Sequence, residues 1–257
     1  MIVDIHTAVG RWPFSAAQSL TPLRLGSLLA RAGVDLALTS SLEAVFHEDP
    51  AEDNRRLFRQ LRGHKRLLPV PVINPRLADW RAAVAEWAQR AVAVKILPSY
   101  HACSLASGAG SLGAGVDGLA EELAGRRRPL LVQMRMEDER VQAPALRVPA
   151  VPVADIVALA KRHPRLDIVA LGAYRLEAGD LLRQTARVRV DVSFLDGLDV
   201  VAVLVKKHRA FAQRLLLGSH APLFYAQASV LKVLTAETTE AVRRAILGGN
   251  AAQMLGL

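Results

Sequence analysis

The chain has 257 residues, enough for one large core, and (β/α)8 barrels reach this size as a single domain, here read as residues 1–257. Half of it is hydrophobic (51%) while only 5% is aromatic, so the core must be built from aliphatic residues and there is little surface for stacking bases. A single cysteine, Cys103, excludes an intrachain disulfide framework and fits a reducing compartment.

The net charge of +9 raises nucleic-acid binding as a question. Arg55, Arg56, Arg59, Arg62, Lys65 and Arg66 gather at one helix end, and Arg126, Arg127 and Arg128 form a second run. Neither run is interleaved with aromatics or joined to a helix-turn-helix or zinc-finger spacing, and cations at helix C-termini complement the helix dipole. The expectation is no nucleic-acid partner, but attraction of anionic substrates or weak polyanion stickiness. No basic-then-apolar leader precedes the first strand and no apolar run reaches about 18 residues, so a soluble cytoplasmic protein without a membrane partner is expected.

The first strand-like stretch is Ile2–His6, where Ile2, Val3 and Ile5 alternate with Asp4 and His6. A carboxylate and an imidazole on one strand face need partners if buried. Thr21-Pro22 opens the first helix, Leu25, Leu28, Leu29 and Ala32 give it an apolar stripe, and Gly33 ends it. Val34–Thr39 reads as the second strand, followed by Ser40 and Ser41, and a helix follows Asp49-Pro50. Leu67–Ile73 is the third strand, closed by Asn74-Pro75, and Leu77, Trp80, Val84 and Trp87 repeat at helical spacing.

Val92–Leu97 is the fourth strand. The Gly-, Ser- and Ala-rich connection Ser104–Gly115 behind it reads as a surface loop or a lid, and Val116–Ala124 as a short helix. Pro129–Val132, Ile168–Leu171, Val188–Val192 and Leu215–Leu217 are the remaining strands, and helices are predicted over Val153–Arg162, Gly179–Thr185 and Asp199–Ala212. Two closing helices, Tyr225–Thr235 and Glu237–Leu247, precede a tail in which Asn250 reads as a cap at one end of the barrel. Eight short apolar strands, each followed by a helix, predict an α/β fold, a single (β/α)8 barrel of the TIM type. No Gly-x-Gly-x-x-Gly follows the first strand, which argues against a dinucleotide-binding open sheet.

In such a barrel the chemistry lies at the C-terminal ends of the strands. Those ends offer Asp4 and His6, Ser40 and Ser41, Asn74, Lys95 with Tyr100 and His101, Gln133 with Arg135, Gly172 with Tyr174, Asp191 with Ser193, and His220. His6 and His220 come from neighbouring strands of a closed barrel. Lys95 reads either as a partner for a substrate carboxylate or as half of a structural ion pair, and Arg135 either as a carboxylate clamp or as part of a salt-bridged turn. His101 is a candidate proton donor or acceptor, or a residue on a solvated loop. His47, His64, His163 and His208 read as structural or exposed.

Val3-Asp-Ile-His6, Val94-Lys-Ile-Leu-Pro98 with Tyr100-His101, Arg135–Arg140, Gly218-Ser-His-Ala-Pro222 and Ile246–Ala251 together resemble the amidohydrolase superfamily, in its amidohydrolase-related branch of metal-dependent hydrolases and decarboxylases. The resemblance spans nearly the whole chain. It implies a mononuclear zinc-type site with two histidines on strand one, histidines at strands five and six, and an aspartate on strand eight. Of these only His6 is matched; Ala8, Gln133 and Gly172 stand at the next three positions, and His220 where the aspartate is expected. The remaining route to a divalent metal is a set of His6, His220 and a carboxylate, Asp191 or Asp4.

Three classes of function stay open. The first is a metal-assisted hydrolase or non-oxidative decarboxylase of a small, carboxylated substrate, with Asp4, Lys95, His101 and Arg135 as further catalytic candidates. The second is a metal-free enzyme using His6, Asp4 and His220 for proton transfer. The third is a non-catalytic binding or assembly protein. The apolar outer helices leave a homodimer open.

Overall fold

The computed structural model describes residues 1–14, 20–106 and 114–257, without the side chains of Ala114 and Leu146. The core of the Ser104–Gly115 connection, the candidate lid, lies outside the described residues. Eight strands alternate with helices: β1 (Val3–Val9), α1 (Pro22–Arg31), β2 (Leu36–Ser41), α2 (Ala51–Gln60), β3 (Leu67–Pro69), α3 (Trp80–Trp87), β4 (Val94–Ile96), α4 (Ala114–Gly125), β5 (Leu130–Gln133), α5 (Val153–Arg162), β6 (Ile168–Leu171), α6 (Arg175–Gln184), β7 (Val188–Asp191), α7 (Val200–Lys207) and β8 (Leu215–Leu216). Three helices close the chain, α8 (Ala226–Leu234), α9 (Glu240–Arg244) and α10 (Asn250–Leu255), the last two joined by a π turn at Ala245–Gly249.

All strand pairs are parallel, in the orders β1-β2-β3 and β4 to β8. Two seams close these sheets into one cylinder. At the first, Val72 bridges Lys95, with Lys95 N donating to Pro71 O and Ile73 N to Lys95 O. At the second, β1 meets β8 through Ile5 N to Leu217 O, His220 N to His6 O and Ala8 N to Ala221 O. The β3 ladder is shorter than the apolar run Leu67–Ile73 predicts because Pro69 and Pro71 lack the N–H a ladder needs. Asn54 of α2 makes up the loss, donating to Val72 O at 2.8 Å and accepting from Val72 N at 2.9 Å.

Strand alternation separates two apolar layers. Leu130, Val132, Ile168, Ala170, Val188 and Val190 pack outward under the helices. Val3, Ile5, Leu38, Val70, Leu131, Val169, Leu171 and Leu216 fill the interior, which Ala251 and Leu255 of α10 close from below. A residue one step out of phase with the outer layer therefore points inward, and Lys95, Gln133 and Asp191 do so at the upper level. Asn250 is not an N-cap, as the sequence suggested. It is the first residue of α10, continuous with the π turn before it, and its amide donates to Ala212 O and Leu215 O and ties the plug to β8.

α6 begins four residues earlier than its apolar pattern predicts, because Glu177 accepts from the Tyr174 backbone N–H at 2.7 Å and fixes the first turn. Among the described residues no helix is long and apolar enough to cross a membrane.

Candidate active centre at the barrel mouth

Strict alternation would place His6 with Asp4, on the face away from Val3 and Ile5. The β1–β2 register shifts between Asp4 and Thr7, and this bulge separates the two. His6 turns into the barrel, where it meets Gln133 and Asp191. Asp4 instead stitches the seam, its Oδ1 accepting from His6 N and Ser219 N at 3.0 Å each, while Oδ2 has no partner. Burial dominates its chemistry and pushes its carboxyl up to about 7.

Around His6 a continuous hydrogen-bonded array is assembled from five strand ends. His6 Nδ1 lies 2.8 Å from Asp191 Oδ2; His6 Nε2 lies 3.0 Å from Gln133 Oε1 and 2.8 Å from His220 Nδ1. His220 Nε2 ends the chain on Met136 O at 2.7 Å. Asp191 is held in turn by the Gly172 N–H at 2.7 Å and the Ser193 hydroxyl at 2.5 Å. His220 sits in the left-handed backbone region (φ 57°), with the Phe194 and Phe224 rings each 5.3 Å away. Burial, joined by the neighbouring His6, keeps its imidazole well below the ordinary histidine range; burial also lowers His6, against the opposing pull of Asp191.

The proton positions follow from which atoms can only accept. Met136 O is an acceptor, so His220 carries its proton on Nε2 and offers a bare Nδ1. Gln133 donates its amide to Arg135 O at 2.6 Å, so its Oε1 faces His6 and also needs a donor. Both acceptors meet His6 Nε2, which must therefore carry a proton. The Asp191–His6 contact then shares one further proton, leaving the pair without net charge, the arrangement that costs least in a buried site.

Lys95 stands inside the same ring of strands, 4% exposed, with Ser40 Oγ at 3.3 Å as its one hydrogen-bond partner among the described residues. The sequence allowed a direct ion pair; among the described residues no acid lies within pairing distance, and the gap beside Lys95 is lined by aliphatic residues with Ser40, Thr7 and His6. Desolvation pushes the ammonium down to about 7, partly countered by Asp191.

Two candidates are engaged elsewhere. The Arg135 fork is filled by Glu177, at 2.7 and 2.6 Å, with Glu139 at 3.3 Å and the Gly172 carbonyl completing it and Tyr174 stacked 3.9 Å below. The salt-bridged alternative thus describes its geometry, and a substrate carboxylate would have to displace Glu177. His101 is 3% exposed, so it is not on a solvated loop; its Nε2 meets Ala44 O at 2.9 Å, Nδ1 has no partner, and none of its contacts reaches His6. Sequence reasoning missed Glu177 and the Met136 carbonyl. The Tyr174-x-x-Glu177 spacing was a usable signal for the first, whereas a backbone carbonyl leaves none.

The residues present do not fit the metal that the resemblance implies. Asp191 and His220 occupy opposite nitrogens of the His6 ring, so His6, His220 and Asp191 do not converge on one point. Asp4 is directed to the seam, and Ala8 and Gly172 offer no side-chain ligand. Among the described residues no group of three or more His, Cys, Asp or Glu could hold a metal ion.

No protein-family model and no curated protein matches the chain. Solved structures do. A putative amidohydrolase from Staphylococcus aureus superposes with a TM-score of 0.73 at 10% identity, covering 100% of this chain and 99% of the other. A dihydroxybenzoic acid decarboxylase from Polaromonas sp. JS666, with bound manganese and the inhibitor 2-nitroresorcinol, gives 0.72 at 12%, covering 100% and 97%. An amidohydrolase from Burkholderia multivorans with bound zinc gives 0.69 at 16%, covering 100% and 99%. The chain has, over its whole length, the (β/α)8 barrel fold of these amidohydrolases and decarboxylases.

Proposed function

We propose that the protein is a hydrolase or non-oxidative decarboxylase of a small carboxylated molecule, with proton transfer centred on His6. The observation that carries this reading is the Asp191–His6–His220 array beside a buried Lys95 at the C-terminal ends of the strands. In this reading Asp191 orients His6, and Lys95, which has no ion-pair partner among the described residues, meets a substrate carboxylate in its ammonium form. In decarboxylation the carbon–carboxylate bond breaks, CO2 leaves, and the carbon takes the proton from His6. In hydrolysis water adds to the substrate carbonyl and the bond to the leaving group breaks; His6 gives that group its Nε2 proton, and the proton released by the water returns to His6.

The second reading is a non-catalytic binding or assembly protein. It is favoured by enclosure: His6, Lys95 and Asp191 are all buried, and the gap lined by His6, Ser40, Lys95 and Leu171 has no room for water. Assays of CO2 release from dihydroxybenzoates and of ring opening of pyrone dicarboxylates separate the two, run with the wild type, His6→Ala and Lys95→Met. The enzymatic reading expects turnover reduced at least about 100-fold in His6→Ala. Turnover in both variants equal to that of the wild type, or none with any carboxylate while the wild type still binds one, contradicts it.

A further inference from the structure

The opposite end of the barrel carries a feature that the mouth does not use. In-register pairing of Leu130 with Ile168 and of Ile168 with Val188 aligns the residues just before β5, β6 and β7 along one rim. Asp167 and Arg187 stand there, with Arg128 one residue further out before β5, and Arg127 and Arg165 join them from beyond the ends of α4 and α5. Together they line a concavity of about 600 Å³, floored by Met254 of α10. That volume falls within the range of about 300–1,000 Å³ typical of small-molecule sites.

The charge in this basin is unbalanced. Four guanidiniums face one carboxylate, and Asp167 is already held by Arg189 at 2.6 Å, with Arg187 at 3.5 Å. Arg127 and Arg165 have no side-chain partner among the described residues, and Arg128 uses only Nε, on Ala88 O. The cations are not needed to cap α4, whose last carbonyls are taken by backbone: Arg126 N to Glu122 O, Arg128 N to Leu123 O and Arg127 N to Ala124 O. Neighbouring Arg126 and Arg162 are paired, with Glu122 and Asp117, and do not add to the charge of the basin.

We infer that this basin is a second binding site, for the phosphate chain of a polyphosphorylated small molecule. Guanidinium forks match phosphate oxygens two at a time, and several forks around one concavity favour an anion with several phosphates over a single carboxylate. Among the described residues no aromatic ring lines the basin to stack a base, so recognition stops at the phosphates, whether they belong to free inorganic chains or to the tail of a nucleotide.

Isothermal titration with tripolyphosphate at low salt tests the site in the full chain. The expected result is saturable one-to-one binding, weakened about tenfold or more by Arg165→Ala and by Arg187→Ala. Both positions are exposed, so folding is preserved and is checked by the thermal midpoint. Arg56→Ala, which removes an exposed cation elsewhere, leaves the affinity within about twofold. ATP competes with tripolyphosphate and adenosine does not. Unsaturable binding, an equal loss in Arg56→Ala, competition by adenosine, or displacement by short duplex DNA as effective as by ATP overturns the proposal, since each marks diffuse charge or another ligand class.

Discussion

Asp4 and Lys95 are buried ionisable groups whose neutral forms the fold favours, and their effects on stability run in opposite directions. For Asp4 the folded value, near 7, lies above the unfolded one. Its contribution is therefore full at acid pH and is lost as pH rises through about 7. For Lys95 the folded value, also near 7, lies below the unfolded one, so its contribution is present above about 10 and is lost as pH falls to 7. Both groups thus cost most near neutrality. Urea midpoints should show Lys95→Met more stable than the wild type at pH 7 by roughly 2–4 kcal/mol, with the difference shrinking towards pH 10. Asp4→Asn should show its largest gain at and above pH 7, shrinking towards pH 4. A wild type at least as stable as Lys95→Met at pH 7 would mean that the ammonium has a partner the geometry does not give it.

Gly218 sets how closely β8 approaches the centre. A Cβ there would meet Asp191 Oδ2 at 2.6 Å and His6 Cβ at 3.0 Å. Gly218→Ala should therefore destabilise the fold by about 1–3 kcal/mol and disturb the His6–Asp191 contact without altering either residue. Thermal unfolding and the imidazole nitrogen shifts report the two effects; unchanged values for both would show that β8 has room to move.

Among the secondary-structure elements, α2 is tied to the seam by Asn54, which pairs both the N–H and the C=O of Val72 beyond the end of β3. Asn54→Leu should cost about 2–4 kcal/mol, as Val72 N–H and C=O are left buried and unpaired at the seam beside Lys95. A chemical-denaturation midpoint equal to that of the wild type would show that water or backbone replaces the amide.

For the molecule as a whole, the barrel was legible because short aliphatic runs recur with helices between them. Val153–Arg162 and Ile168–Leu171 coincide with their predicted bounds. The nearness of His6 and His220 was legible too, since a closed cylinder makes its first and last strands neighbours. The direction of each side chain was not. The bulge that splits Asp4 from His6 depends on β2, the capture of Arg135 depends on Glu177 in another unit, and the Val72–Asn54 repair depends on α2 reaching across a seam. Each is a pairing between distant residues that a period of two or 3.6 does not encode.

These pairings lead to the central claim: the barrel mouth holds hydrogen-bonded imidazoles sharing protons with Asp191, in an arrangement that does not gather ligands around a cation. Metal content, measured by elemental analysis after equilibration with zinc and manganese and removal of excess ion, tests this most directly. The account predicts substoichiometric metal, equal in the wild type and His6→Ala. One ion per chain in the wild type, lost in both His6→Ala and His220→Ala, would contradict it.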